Sequence, residues 1–218
     1  DNHVVVVNKP AGLTVHPAPG HAGGTLANAL LARYPELRGG GDRLRSGIVH
    51  RLDADTSGLI MVARTPAAYL NLQKQIKDRT ITKVYLTLVR GQPRPSKGRI
   101  EAPIARDPRS RQRMAIVEGG RISTTEYSTL RTLGEFTLLE VKPHTGRTHQ
   151  IRVHLSAIGH PVAGDAKYGG RVPFLKRQFL HAHRLGFCLP PTGQYAEFTS
   201  PLPPDLEEAL GLLEKYNP

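Results

Sequence analysis

The side chains best suited to chemistry lie in a short polar segment between two apolar runs. This segment, from His50 to Gly58, contains Arg51 and Asp53 and is followed by the apolar run Leu59 to Ala63. A carboxylate with a cation two residues before it, in a loop between two predicted strands, is a candidate reactive site. The residue types alone leave an alternative open, an Asx-type turn whose side chains only bond nearby backbone N–H groups.

A second group of candidates lies on a predicted helix from Arg147 to Ile158. Its apolar residues recur at helical spacing and predict a face toward the core. That face consists of Ile151, Leu155 and Ile158. His149, Arg152 and Ser156 share an adjacent face, from which the Arg152 guanidinium can reach a neighbouring site.

Two other kinds of chemistry are weighed and disfavoured. His144, His149 and His154 are spaced by five residues, which turns about 140° between neighbours on a helix, so no shared metal face is predicted. A glycosidase usually needs two carboxylates. Asp55 is the only close partner of Asp53, and the adjacent Thr and Ser indicate that it tightens the turn. We expect no metal and no cofactor.

The elements that must position these residues are mostly strands. Val4 to Val7 is a short β-branched run and predicts a buried strand. A series of further strands, punctuated by Gly and Pro, runs from Lys83 to Val141 and should pair antiparallel because the connections are short. Leu180 to Leu189 predicts the last core strand.

Three helices are predicted besides the one from Arg147. Thr25 caps a helix from Leu26 to Tyr34, and Pro66 opens another that ends near Lys77. The last runs from Pro203 to Tyr216. The expected core residues of the first two are Leu26, Ala29 and Leu30, then Leu70, Leu72 and Ile76.

Composition bounds the class of protein. The 218 residues are 39% hydrophobic, with no apolar run of membrane-spanning length, which predicts one domain over residues 1–218. The single Cys188 fits a reducing cytoplasm. The chain begins almost inside a strand, so we expect upstream sequence to be missing.

The net charge of +12 favours a polyanionic partner. Arg outnumbers Lys, and guanidinium groups bind phosphate in a bidentate manner and stack on bases. A glycine-rich loop carrying Arg38, Arg43 and Arg45 is either an ordinary surface loop or a basic loop that orders on RNA. The alternative for the charge as a whole is a basic, soluble enzyme with no nucleic-acid partner.

The segment His50-Arg51-Leu52-Asp53-x-Asp55-Thr56-Ser57-Gly58-Leu59 resembles the catalytic signature of the RNA pseudouridine synthases. More narrowly, it is similar to the branch that modifies large-subunit ribosomal RNA and some tRNA. The resemblance implies that Asp53 attacks the target uridine or assists deprotonation of its sugar. His50 and Arg51 would contact the substrate, and Arg51 would either fill the gap left by the extruded base or bind a phosphate.

Other segments extend the resemblance. Asn8 to Pro17 is similar to the family's first motif, which packs beneath the active-site loop. Lys83-Val84-Tyr85 resembles the segment whose tyrosine lies against the uracil. His144 to Leu155 resembles the third motif, which implies that Arg152 pairs with Asp53 and keeps it ionised. The remaining implied substrate contacts are Arg147, on phosphate, and Leu180, on the face of the base.

The resemblance implies an α+β fold with a long, mixed, mainly antiparallel sheet, flanked by helices and loops around a central cleft. It also implies isomerisation of uridine to pseudouridine in RNA, without cofactor, by a cytoplasmic monomer that has no membrane contact. Ribosomal RNA is the expected substrate and tRNA the alternative. The small S4-like RNA-binding domain of many family members is absent from these 218 residues. The competing interpretations are a non-catalytic, ribosome-associated RNA-binding module and an enzyme on small uracil nucleosides.

Overall fold

The computed structural model describes residues 1–17, 23–40, 47–190 and 192–216. The chain divides into two compact units, each assembled from two separate stretches. Unit 1 contains Asp1–Thr82 and Ala182–Ser200, and unit 2 contains Lys83–His181 and Pro201–Pro218. A single catalytic domain therefore stays a prediction. The side chains of the basic loop residues Arg38, Arg43 and Arg45 lie outside the described part of the structure.

The described strands form a mixed, mainly antiparallel sheet of nine strands, which confirms the α+β class. In chain order the strands are β1 (Val4–Lys9), β2 (Ser57–Ala63), β3 (Thr82–Arg90), β4 (Lys97–Asp107), β5 (Ser110–Ile116), β6 (Arg121–Leu133), β7 (Phe136–Pro143), β8 (Leu180–Cys188) and β9 (Tyr195–Thr199). The described helices are α1 (Leu26–Arg33), a 3-10 helix (Pro35–Gly40), α2 (Pro66–Asp78), α3 (Gln150–Ala157) and α4 (Pro204–Tyr216). None of these helices is both long enough and apolar enough to cross a membrane.

Unit 1 is organised around β2, which is buried along its whole length. The strand pairs antiparallel with β1, from Val4 opposite Ala63 to Lys9 opposite Gly58, and β9 pairs antiparallel with β8. Alternate β2 residues point to opposite faces, so its continuous apolar run supplies two separate cores. Leu59, Met61 and Ala63 pack in the cluster that contains residues of α2, while Ile60 and Val62 pack in the cluster that contains residues of α1.

Both α-helices of unit 1 begin where the sequence predicts, α1 after its predicted cap Thr25 and α2 at Pro66. Thr25 Oγ1 accepts the Asn28 N–H and the Asn28 side chain accepts the Thr25 N–H, which completes a capping box for α1. Thr65 Oγ1 accepts the Ala68 N–H at the start of α2, and Pro66 lies in its first turn. The helix starts are therefore set by local chemistry that the sequence shows.

Unit 2 is a strand-rich layer in the order β3-β7-β6-β4-β5, and each of its neighbouring pairs is antiparallel as predicted. Its main core joins residues of β3, β6 and β7 to the apolar face of α4. A smaller cluster contains Ile104 of β4, Val153 of α3 and Tyr168. This smaller cluster lies beside the candidate residue Arg152, because Val153 directly follows Arg152 in the chain.

Three details of the predicted helices are wrong. Leu70 of α2 is exposed and Leu72 is the buried residue. In α1 the predicted core residue Ala29 is exposed, and Ala27 is buried in its place. The predicted core residue Ile158 lies beyond α3 and is 38% exposed.

The helix predicted from Arg147 begins only at Gln150. His149 precedes it with a φ of 56°, in the left-handed region, so the helical path cannot extend back through this residue. The predicted third motif therefore reads as a loop over its first half and as a helix over its second half.

Candidate active site

In unit 1 the loop around Asp53 leads directly into β2. Asp53 is half-buried and its carbonyl accepts the Thr56 N–H at 3.1 Å, which closes a backbone turn. Thr56 and Ser57 are buried, while Arg51 and Asp55 are exposed. The buried residues Thr56 and Ser57 thus anchor a loop that carries the carboxylate of Asp53 and the nearby cation of Arg51.

A buried lysine holds this loop from beneath. Lys9 at the end of β1 is fully buried, and its Nζ donates hydrogen bonds to the carbonyls of Pro10, Leu13 and Ala54 at 2.8, 2.8 and 2.7 Å. Ala54 directly follows Asp53, so one ammonium group connects the Pro10–Leu13 turn to the Asp53 loop. Charge-assisted bonds of this kind are shorter and stronger than neutral ones.

Two further contacts hold the ends of the loop. The His50 Nε2 accepts the Met61 N–H at 3.0 Å, which requires an imidazole with Nε2 unprotonated. Gly58 has a φ of 110°, and a Cβ there would lie 2.3 Å from the carbonyl oxygen of Ala182. Only glycine therefore allows this approach of β2 to β8. The predicted substrate contact of His50 stays a prediction.

In unit 2, the two residues predicted to contact the uracil, Tyr85 and Leu180, lie on β3 and β8. Tyr85 is buried on β3, opposite Val141 of β7, and Leu180 is buried at the start of β8. The carbonyl of Phe179 accepts the Thr87 hydroxyl at 2.7 Å, which ties the residue before Leu180 to β3 two positions from Tyr85. Burial also lowers the pKa of Lys83, on the same strand face as Tyr85.

Gln150 organises the loop that carries Arg147. Its Oε1 accepts the Thr145 hydroxyl at 2.7 Å and the Arg147 N–H at 3.1 Å. Its Nε2 donates to the Thr124 carbonyl at 2.9 Å and to the Thr125 hydroxyl at 3.0 Å. The buried amide thus joins the loop to β6 and sets the position of half-buried Arg147.

The Thr125 hydroxyl continues this network to a buried histidine. It accepts a hydrogen bond from the Gln150 Nε2 and lies 2.9 Å from the His154 Nδ1, within hydrogen-bonding distance. Burial lowers the pKa of His154, and the Ala102 carbonyl offsets part of that shift. His154 is thus a neutral core residue near neutral pH.

His149, Arg152 and Ser156 were predicted to share a helix face, but only Arg152 and Ser156 lie on α3, because His149 precedes it. All three nevertheless contact Tyr168. The Tyr168 hydroxyl lies 2.8 Å from His149 Nδ1, and the Ser156 hydroxyl donates to the Tyr168 carbonyl at 2.9 Å. The Arg152 guanidinium carbon lies 5.1 Å from the centre of the Tyr168 ring. Burial raises the pKa of Tyr168, so the hydroxyl keeps its proton and can donate it to His149.

Arg152 also forms a buried ion pair with Asp165. Its Nε and Nη2 donate to Asp165 Oδ2 and Oδ1 at 2.6 and 3.0 Å, in a bidentate arrangement. Both side chains are almost completely buried, with 5% and 1% exposed. Asp53 and Arg152 belong to different units, and the pairing expected between them stays a prediction.

Sequence reasoning did not assign individual roles to Lys9, Gln150, Asp165 and Tyr168. Lys9 and Gln150 were visible only as members of longer motifs. Asp165 and Tyr168 lie in a glycine-flanked loop, Gly164-Asp165-x-x-Tyr168-Gly169-Gly170, and those glycines were the available signal of a constrained structure.

The chain matches known proteins over most of its length. The family model described as RNA pseudouridylate synthase matches residues 3–157. The chain belongs to this family. Its match contains the Asp53 loop, Tyr85, Arg147 and Arg152, whereas Leu180 lies beyond it.

Individual members of the family agree with that assignment. The chain is 56% identical to an uncharacterized RNA pseudouridine synthase of Chloroflexus aurantiacus, over 95% of this chain and 66% of that protein. It is 46% identical to the ribosomal large subunit pseudouridine synthase D of Nitrosomonas europaea, over 96% of this chain and 62% of that protein. The chain thus spans about two thirds of the length of these relatives.

A solved structure supports the fold. The human RNA pseudouridylate synthase domain containing 4 superposes with a TM-score of 0.77 at 25% identity, over 98% of this chain and 91% of that one. The pseudouridine synthase fold predicted from the Asp53 motif is therefore confirmed.

Proposed function

We propose that this chain isomerises uridine to pseudouridine in RNA, with Asp53 as the catalytic residue. The observation that carries the proposal is that the family match includes the Asp53 loop, which the fully buried Lys9 ties down beside its reactive carboxylate. In this reaction the N1–C1′ bond breaks, the uracil turns and C5 bonds to C1′. The C5 hydrogen is released to water and N1 gains a proton, so no external oxidant or group donor is required.

The other predicted site residues have supporting roles in this proposal. Tyr85 and Leu180 contact the extruded uracil, and Arg152 keeps Asp53 ionised. His50, Arg51 and Arg147 contact the RNA, and Arg51 is well placed because its side chain is exposed beside Asp53. Two routes for Asp53, attack on the sugar or assistance to its deprotonation, have the same net result.

Exposed arginines support an RNA substrate. Four of them lie around the turn of the hairpin of β4 and β5, which ends the strand order of unit 2. They are Arg106, Arg109, Arg111 and Arg113. Together with the net charge of +12, they favour binding whose affinity falls steeply as salt concentration rises.

Large-subunit ribosomal RNA is the substrate that we propose, because relatives at 44–46% identity are named ribosomal large subunit pseudouridine synthase D. We also propose that the enzyme acts as a monomer in the cytoplasm. Mapping pseudouridines in RNA from a strain that lacks the gene tests this choice. Loss of a site in tRNA instead would reassign the substrate while leaving the reaction unchanged.

Release of tritium from RNA labelled at uridine C5 tests the reaction itself. We expect Asp53→Asn to release no tritium while RNA binding changes little, because only the reacting carboxylate is altered. Asp55→Asn is the matched control, since Asp55 lies two residues further in the same loop and is exposed. Substantial release by Asp53→Asn would remove Asp53 from the mechanism, and free uracil as the product would indicate a hydrolase.

A further inference from the structure

The buried carboxylate of Asp165 holds Arg152 by one edge of its guanidinium. Nε and Nη2 both donate to it, at 2.6 and 3.0 Å. We propose that Asp165, together with the ring of Tyr168, is a positioning residue that fixes the orientation of the Arg152 guanidinium. This inference rests on the proposed function, in which Arg152 keeps the catalytic carboxylate ionised.

The geometry of the fork allows Arg152 to serve two carboxylates. A guanidinium has five N–H donors in a rigid plane, and a bidentate partner on the Nε–Nη2 edge uses two of them. The Nη1–Nη2 edge faces a different direction in the same plane. Asp165 therefore does not compete with a second acceptor but determines where the second edge points.

Tyr168 restricts the remaining freedom of the guanidinium. The centre of its ring lies 5.1 Å from the guanidinium carbon of Arg152, and the same ring has Arg113 at 5.1 Å. Its hydroxyl is held by the Met114 N–H at 2.9 Å and by His149 at 2.8 Å. The ring is thus fixed at its polar end, which fixes the surface against which Arg152 lies.

The carboxylate of Asp165 is itself fixed to the backbone of its loop. Its Oδ1 also accepts the Lys167 N–H at 2.9 Å and the Tyr168 N–H at 3.3 Å. The loop is closed by the Gly164 N–H, which donates to the Gly170 carbonyl at 2.6 Å. A Cβ at Gly164 would lie 1.9 Å from the Arg177 carbonyl oxygen, so the loop has little freedom to shift.

A second pair in unit 2 shows what is specific to Asp165. Arg177 and Asp205 form a fork of nearly the same geometry, with Nε–Oδ2 and Nη2–Oδ1 distances of 2.7 and 2.9 Å. Asp205, however, is 52% exposed, whereas Asp165 is 1% exposed and is bound to both a helix and a loop. This surface pair provides a matched control with the same chemistry.

The test is a double-mutant cycle on the isomerisation rate. We expect Asp165→Asn to lower kcat by about 10–100-fold, the range typical of residues that orient a functional group, while KM for RNA changes by less than about threefold. In an Arg152→Lys background, Asp165→Asn should lower kcat by less than about twofold further, because Asp165 acts through the guanidinium. Asp205→Asn should leave kcat unchanged in both backgrounds.

Other outcomes separate this inference from the proposed function. If the wild type releases no tritium from any RNA, the proposed function fails. If the wild type is active and folded Asp165→Asn keeps full kcat, or if its effect is as large in the Arg152→Lys background, the positioning role is overturned. Should thermal melting show that Asp165→Asn does not fold, Tyr168→Leu decides: wild-type kcat in this variant overturns the proposal, and a loss confined to kcat supports it.

Discussion

Replacement of Lys9 by methionine is the sharpest test of how the Asp53 loop is held. Methionine is unbranched and of similar length, so it fills most of the space of the buried lysine without its charge. The substitution removes three hydrogen bonds of 2.7–2.8 Å to the carbonyls of Pro10, Leu13 and Ala54. It leaves the neighbouring strands β1 and β2 otherwise intact.

The expected loss of stability follows from the state of those carbonyls. Leu13 and Ala54 are half-buried, and each of their carbonyls left without a donor costs about 1–3 kcal/mol. Pro10 is exposed, so water can replace the lysine at its carbonyl with a small loss. Relief from burying the ammonium offsets part of the total. We therefore expect Lys9→Met to lower the free energy of unfolding by about 3 kcal/mol, a large part of the about 5–15 kcal/mol typical of domains.

Urea unfolding followed by circular dichroism measures this loss, because the chain contains no tryptophan to report by fluorescence. Lys74→Met is the matched control: Lys74 is 77% exposed and pairs with Asp78 on α2 of the same unit. An exposed pair of this kind contributes little, so the control should change stability by less than about 0.5 kcal/mol. If Lys9→Met is no less stable than Lys74→Met, the lysine does not hold the loop.

Two further predictions concern residues near the candidate site. Gly58→Ala should lower the free energy of unfolding by more than about 2 kcal/mol, because a Cβ at this position would meet the Ala182 carbonyl. Gly12 is the control: it also has a positive φ, 83°, but open space around it, so Gly12→Ala should lower the free energy of unfolding by about 1 kcal/mol. Equal losses in urea unfolding would contradict the close approach at Gly58. For His154, burial lowers the pKa below its usual 6.5, so the unfolded state binds more protons and stability falls as pH drops below about 6.5. His154→Gln cannot protonate, so the stability difference between wild type and variant should shrink from about pH 7.5 to about pH 5. A constant difference would show that His154 titrates normally in the folded protein.

The elements of the fold were largely predictable, whereas the burial of particular helix residues was not. The apolar run Leu59 to Ala63 predicted the strand β2, and the structure places a core on each of its faces. Leu70 and Leu72, however, are two residues apart and point about 200° away from each other on a helix, so only one of them can face the core. Periodicity left that choice open, and packing against the sheet selects Leu72.

The start of α3 shows a second limit of sequence reasoning. The apolar spacing from Ile151 onward is helical, and nothing in the residue types at Arg147 to His149 forbids an earlier start. The left-handed φ of His149 prevents the helix from beginning before Gln150. Non-glycine residues are uncommon at positive φ, so the residue type gives no warning of this conformation. Glycine closures are more predictable, as Gly159 with a φ of 84° just after this helix shows.

At the candidate site, the turn that contains Asp53 was visible in the sequence, but the contacts that hold it were not. A lysine is normally expected on the surface, and the three carbonyls that bind Lys9 come from residues 10, 13 and 54. Their meeting depends on the pairing of β1 with β2, which sequence spacing does not reveal. The pairing of Asp165 was likewise not predictable from the sequence, because its partner Arg152 lies thirteen residues earlier, on α3.

The two buried cations illustrate why lysine and arginine are not interchangeable here. The ammonium of Lys9 has three hydrogens, and three backbone carbonyls accept them, which suits a group whose role is to join two loops. The guanidinium of Arg152 has five, of which Asp165 accepts two while fixing the plane of the group. In the role proposed for Arg152, the guanidinium is held by Asp165 and still presents a second edge, whereas a lysine bound by Asp165 could not also present a fixed edge elsewhere. The residue types at positions 9 and 152 therefore follow from the number and geometry of the donors that each position needs, beyond the charge that both supply.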